Sequence, residues 1–265
     1  MRGKAEITFG RDRLAHLFQQ APLRALFPTP PDGEPPQAAL VTTSGGLAGG
    51  DRLDLSVTVD DGGAGLVVAS AAEKIYRSTG PDTEVEIALA AGSGSWLEFL
   101  PQETIAFDGS RLRRTTRLDL AADARALAGE MLVFGRTARG ERLSHGLLRD
   151  AWDVRRDGRL IWADALHLDG DIAAKLDAPA GFDGANACAT LVLAAPAPER
   201  LRDLIRDGLA DYDGRAGATV VAGLVIARWL DRDAARLRKS FGAAWAMLRH
   251  EAAGLPRRLP RLWEI

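Results

Sequence analysis

Alternation of apolar and polar side chains marks most of this chain as strand. Leu53, Leu55, Val57 and Val59 alternate with Asp54, Ser56 and Thr58, the period of two that buries one face of a strand. Asp60-Asp61-Gly62-Gly63 then supplies a turn, and Leu66-Val67-Val68 opens the next strand. Val85, Ile87 and Leu89 alternate with Glu84, Glu86 and Ala88. Further strands are expected over Trp96 to Leu100, Thr115 to Leu120, Glu130 to Phe134, Trp152 to Arg155, Leu160 to Leu168 and Thr190 to Leu193. Turn residues separate them at Gly80-Pro81-Asp82, Asp108-Gly109, Arg156-Asp157-Gly158 and Asp169-Gly170. Short strands at this spacing, from about residue 40 to 195, predict a sandwich, barrel or layered β architecture. No fixed period repeats, which counts against a solenoid.

The last quarter changes to helical spacing. Leu201, Leu204, Ile205 and Leu209 follow Pro198, and Leu237, Phe241, Ala244, Trp245 and Leu248 follow Asp231 and Asp233, either of which can cap a helix. Leu224 to Leu230 between them reads as one more strand. The expected fold is mainly β, with layered or sandwich-like sheets and two α-helices near the C-terminus. Pro28 to Pro36, with five prolines, predicts an exposed extended loop, because proline removes amide donors and fixes φ. Too few residues precede it to form a separate core, so residues 1–265 are expected to form a single domain.

Composition narrows the function. The 34 Lys and Arg nearly balance the 36 Asp and Glu, so no basic field is available to hold a phosphate backbone, and nucleic acid is an unexpected partner. No apolar run follows Met1-Arg2-Gly3-Lys4, and the apolar stretch Val220 to Ile226 is far short of the ~20 residues a membrane helix needs. One cysteine, Cys188, excludes an intrachain disulfide and fits a reducing compartment. The chain is expected in the cytoplasm.

Candidate chemistry is sparse. The Gly-rich run Ser44 to Asp51 lacks the Lys-Ser/Thr of a phosphate loop and leads into a strand, so it reads as a turn. His16, His145, His167 and His250 are dispersed, which argues against a closed site of nitrogen and sulfur ligands. His167, on an apolar strand, is expected to be partly buried. Ser144 and His145 are adjacent and would point to opposite faces of a strand. Glu98, Glu103 and Asp108 lie among large apolar residues between Trp96 and Gly109. Two readings of these acids stand. They could form the acid and nucleophile of a glycan hydrolase, or Glu98 could sit on a solvent face with Asp108-Gly109 as a hairpin turn. Lys74, Tyr76 and Arg77 fit either a solvated edge or a partner-binding rim, where Tyr and Arg are enriched.

A family resemblance goes further. Ser44-Gly45-Gly46-Leu47-Ala48-Gly49-Gly50-Asp51 resembles the Gly-Gly-x-x-Gly-Gly-Asp segment of the UreD (UreH) family of urease accessory proteins. Ala72 to Ser78 is similar to its Ala-x-Lys-x-Tyr-Arg-Ser segment, and Leu97 to Ile105 with Phe107-Asp108-Gly109 to its most recognisable stretch. Gly135-Arg136 with Gly140-Glu141, Arg156-Asp157-Gly158 and Pro260 to Trp263 follow in the family's order. The likeness covers about Ala21 to Trp263 and departs at Ala48, where a larger aliphatic is expected, and at Glu73, where Thr is usual. It implies a nonenzymatic scaffold that binds UreF and, through it, the GTPase UreG, docks on apo-urease and helps insert nickel. It further implies an elongated fold of layered, helix-like β-sheets with two α-helices, and an internal passage with no tightly bound cofactor and nickel only in transit. Oxygen ligands suit an ion that must move on, so Asp51, Glu98, Glu103 and Asp108 are candidates to line that path.

Overall fold

The computed structural model describes residues 1–263. The N-terminal strands are β1 (Arg2–Phe9), β2 (Leu14–Gln20), β3 (Leu23–Leu26) and β4 (Gln37–Thr42). Then come β5 (Arg52–Val59), β6 (Ala64–Ala69), β7 (Glu73–Ile75), β8 (Thr83–Ala91), β9 (Trp96–Leu100) and β10 (Thr104–Ala106). β11 (Arg111–Leu120), β12 (Arg125–Phe134), β13 (Leu147–Arg156) and β14 (Arg159–Asp169) follow, then β15 (Ala187–Ala194), β16 (Arg215–Val221) and β17 (Leu224–Asp231). The helices are α1 (Ile172–Asp177), α2 (Pro198–Gly208) and α3 (Ala234–Ala253).

These strands make two layers. A seven-stranded sheet runs β14-β13-β11-β8-β5-β1-β2, and a ten-stranded sheet runs β16-β17-β15-β12-β9-β6-β4-β3, with β10 joining β12 to β7. Within the first, β5, β8, β11 and β13 are parallel; within the second, β4, β6, β9 and β12 are parallel. Parallel neighbours need a crossover between them, and here the crossover is a strand of the other layer. The chain therefore winds as a coil of strands, the layered, helix-like arrangement expected. That winding corrects the inference from the missing period. Successive strands of one layer begin at Arg52, Thr83, Arg111 and Leu147, steps too unequal to register as a repeat.

The layers bury different faces. Leu55, Val57, Ile87 and Leu118 of one sheet meet Leu97, Phe99, Ala128 and Phe134 of the other. The far face of the ten-stranded sheet lies under the late helices, with Leu127, Met131 and Trp229 packed near Ile205, Phe241 and Trp245. β5 therefore alternates along its length, whereas β12 is buried at every position from Ala126 to Phe134, as a sheet covered on both faces requires. Asp233 caps α3 by accepting from Ala235 N–H at 2.9 Å, and Gly254 ends it at φ 69°. The short helix α1 was not expected, nor were β1 to β3, whose sequences lie before the regular alternation.

The Pro-rich loop is exposed through Asp32 and Gly33, but its next residue is not. Glu34 reaches inward to Arg249 of α3, whose Nη1 and Nη2 lie 3.0 and 2.5 Å from its carboxylate. Arg249, fully buried, also donates to Glu98 of β9 at 3.0 and 3.1 Å. The indole N–H groups of Trp96 and Trp245 complete the Glu98 carboxylate at 2.9 and 3.1 Å. Glu98 thus has 0% exposure and no solvent face, because α3 covers the side of β9 on which it lies. Removing one partner of a buried ion pair strands the others without solvent and costs about 3–5 kcal/mol. Arg249→Met is predicted to lower stability by that order in urea unfolding, with Glu98→Gln restoring part of the loss. An unchanged unfolding midpoint in Arg249→Met would contradict this assignment.

Candidate functional site

A second charged cluster lies between the sheets. In β11 the residues Leu112, Arg114, Thr116 and Leu118 share the buried face, and in β13 Leu148, Asp150, Trp152 and Val154 do. The parallel register sets Arg114 directly beside Asp150. Its Nε donates to Asp150 Oδ1 at 2.8 Å, its Nη1 to Thr104 Oγ1 at 2.9 Å, and its Nη2 to Glu130 Oε2 at 2.8 Å. Glu130 comes from β12 of the opposing sheet, so one guanidinium bridges the layers. Two carboxylates share one cation here, so one negative charge would go unmatched if both were ionised. Burial, joined by the charge of Asp150, pushes the Glu130 carboxyl well above the usual range, with Arg114 pulling the other way. The Trp152 indole N–H, buried on the same face beside Glu130, makes no well-aligned hydrogen bond among the described residues.

Cavities flank this cluster. One of about 170 Å³ lies among Leu55, Ile87, Phe99 and Thr104, ends at Arg114 and reaches Gly46 and Lys74. Another of about 430 Å³ is lined by Glu130, Asp150, Leu166 and half-buried Cys188. Asp164 of β14 and Arg228 of β17 also line it and pair across the layers at 2.5 Å. Arg114 thus lines the first cavity, and its partners Glu130 and Asp150 line the second, so the cluster stands where the two chambers approach each other.

Loops converge at the end of the first chamber. The Gly-rich run pairs with β7 and the residues after it through Leu47 N–H to Lys74 O and Tyr76 N–H to Leu47 O, both 2.7 Å. Gly46 has φ 145°, and a Cβ there would fall 2.6 Å from the Tyr76 ring and 2.8 Å from Lys74 O, so only glycine fits. Tyr76 meets Phe107 edge-on at 5.1 Å, and Arg136 lies over Phe107 at 4.5 Å. Glu73, the departure from the family's Thr, accepts the Thr42 hydroxyl at 2.5 Å and lines the first chamber; burial raises its pKa.

The four acids singled out in the sequence are not brought together. Asp51 holds the Gly-rich turn by accepting Ala48 N–H at 2.8 Å. Glu98 is sealed under α3. Glu103 pairs with Arg238 at 2.5 Å beside an outer groove. Asp108 accepts Ser144 N–H and O–H, both at 2.7 Å, and lies 3.2 Å from His145 Nδ1. Against the effect of partial burial, the Ser144 donors hold the Asp108 carboxyl below its usual value. Ser144 and His145 thus stand in a loop, not on opposite faces of a strand, and both turn to Asp108. Asp108-Gly109 is a turn, but it carries the chain from one sheet to the other rather than closing a hairpin. His167 is exposed, 3.4 Å from Asp169. Lys74 and Tyr76 line the outer groove, and Arg77 reaches Asp108 at 3.4 Å. Among the described residues no group of three or more His, Cys, Asp or Glu side chains is placed to hold a metal ion. The expected strands at Thr115 and Trp152 begin too late to include Arg114 and Asp150. The signal available was a charge on the apolar face of an alternating strand.

The family model described as UreD urease accessory protein matches residues 1–264. The chain belongs to the UreD family. A relative from Magnetococcus marinus, "Urease accessory protein UreD", is 49% identical over 97% of this chain and 90% of its own length. One of the same name from Granulibacter bethesdensis is 45% identical over 90% of this chain and 99% of its own. UreD is an accessory protein of urease maturation and not itself an enzyme. The hydrolase reading falls accordingly: the oxygens of Glu98 are taken by Trp96, Trp245 and Arg249, and Glu103 and Asp108 are engaged apart from it. No described helix of this UreD chain is long and apolar enough to cross a membrane.

The state of Glu130 can be read from stability. A raised pKa means that the native protein holds the proton more tightly than the unfolded chain does. Ionisation therefore costs stability as pH rises from the ordinary glutamate value through the raised one. Glu130→Gln removes that cost, so its thermal midpoint should gain on the parent's as pH is raised from about 5 to about 9. A difference that does not vary with pH would mean that Glu130 titrates as a free glutamate.

Proposed function

We propose that this chain is a scaffold and conduit in urease maturation. With UreF, and through it the GTPase UreG, it assembles on apo-urease and passes nickel toward the urease active site through the space between its two sheets. The observation that carries this reading is the Arg114, Glu130 and Asp150 cluster, whose cation lines one intersheet chamber and whose carboxylates line the other. A dication moving through an apolar interior needs negative charge along its way, since desolvation otherwise makes the crossing too costly. Two carboxylates against one guanidinium supply it once the arriving cation displaces the proton that Glu130 holds. Oxygen ligands, two rather than four, release a borderline metal readily. The Asp164–Arg228 pair lines the far chamber, and exposed Arg228 and half-buried Asp164 can part without unsettling a core.

In this reading the loops held by Asp51 and Asp108 shape the near end, and Glu103 stands at the groove outside it. Glu98 serves the fold. Lys74, Tyr76 and Arg77 belong to a rim that meets a partner. The nucleotide chemistry belongs to UreG, in keeping with a Gly-rich run that turns between strands instead of cradling phosphate.

The test uses cells carrying the urease genes and supplied with nickel. Glu130→Gln should lower urease activity several-fold while the variant still copurifies with UreF and apo-urease. The pair Glu103→Ala and Asp108→Ala should act in the same direction. Full activation by Glu130→Gln would overturn the proposed path, and loss of copurification would assign Glu130 to assembly instead.

A further inference from the structure

The groove outside the near chamber has a charge that the chain as a whole lacks. It encloses about 860 Å³ between β10, β12, the segment around Arg136 and the start of α3. Its floor is apolar, from Ile105, Phe107, Met131 and Val133. Five cations line it against two carboxylates, in a protein whose formal net charge is −2. Some of that charge is already met. Arg238 pairs with Glu103, Arg136 pairs with Glu141 just outside, and Asp233 spends its carboxylate on the cap of α3. Lys74, Arg139 and Arg232 form no ion pair among the described residues. The N-terminal end of a 20-residue helix, lined here by Ala234 and Ala235, adds partial positive charge.

We propose that this groove binds an acidic, extended peptide segment of a protein partner, with carboxylates against Lys74, Arg139 and Arg232 and one large apolar side chain on the Ile105–Val133 floor. Charge complementarity requires an anionic occupant. The floor favours a peptide over a nucleic acid. Base stacking needs an open aromatic face, and here Phe107 lies beneath Arg136 while the Tyr76 ring packs between Gly46 and Phe107. Lys74 lines both this groove and the near chamber, so a bound segment would sit across the mouth of the proposed conduit. The inference deepens that reading and rests on it for the partner's role, but peptide binding is measurable without nickel or urease.

The experiment is fluorescence anisotropy on the full chain with two labelled peptides, one of Asp and Glu around a single Phe, the other its Asn and Gln counterpart. The acidic peptide should bind about tenfold more tightly or better, and weaken steeply with added salt. Arg139→Glu with Arg232→Glu should remove that preference while the thermal midpoint holds. Lys74→Glu, at a side chain with no ion pair to lose, gives the same reading should the double variant misfold. Equal binding of both peptides, or binding indifferent to these reversals, overturns the proposal. So does a single-stranded oligonucleotide that binds as tightly with the same dependence on Arg139 and Arg232. Peptide binding that survives when Glu130→Gln has no effect on activation would uphold the groove and sink only the conduit.

Discussion

A sheet covered on both faces cannot leave a carboxylate without a partner, and the central strands β9 and β12 of the ten-stranded sheet place one on each face. Glu98 points toward α3 and Glu130 toward the other sheet. Each is met by one arginine from the layer opposite, Arg249 for the first and Arg114 for the second. The cost of burying an unpaired charge far exceeds that of most packing errors. These pairs therefore fix how the helices and the second sheet register on the first. The coil of strands supplies the layers, and the arginines hold their alignment.

The two acids part company in how completely they are satisfied. Glu98 accepts from two indoles and a guanidinium that also takes Glu34, and neither chamber reaches it. It locks the Pro-rich loop and the end of α3 to the sheet. Glu130 shares its arginine with Asp150, lies against open space and keeps a raised pKa. A saturated carboxylate stabilises a fold. An undersatisfied one in a cavity wall is open to a passing cation, and this contrast is the ground for the role proposed for Glu130.

Much of this was legible in the sequence, unevenly. Strands of the seven-stranded sheet announce themselves through alternation because one of their faces meets water, as Leu53 to Val59 do. β9 and β12 announce themselves as apolar runs because neither face does. What the sequence hid was which helix would cover which face. Glu98 between Leu97 and Phe99 looks the same on a solvent face as under α3, and only Arg249, about 150 residues away, distinguishes the two. Arg114 and Asp150 were within reach, since each interrupts the apolar face of an alternating strand. The unequal circuits of the chain concealed the coil itself. Membership in the UreD family came from ordered short motifs, and the structure shows why several travel together: Gly46, Lys74, Tyr76, Phe107 and Arg136 pack at one end of the molecule.

The central claim of the proposed conduit is that nickel displaces the Glu130 proton and pauses between the carboxylates of Glu130 and Asp150. Anomalous diffraction at the nickel absorption edge, on crystals grown with excess nickel, tests it most directly. The account predicts a peak between the carboxylates of Glu130 and Asp150 and none at Glu98. Peaks confined to surface groups such as His16 or His145, with the intersheet space empty of metal, would contradict it.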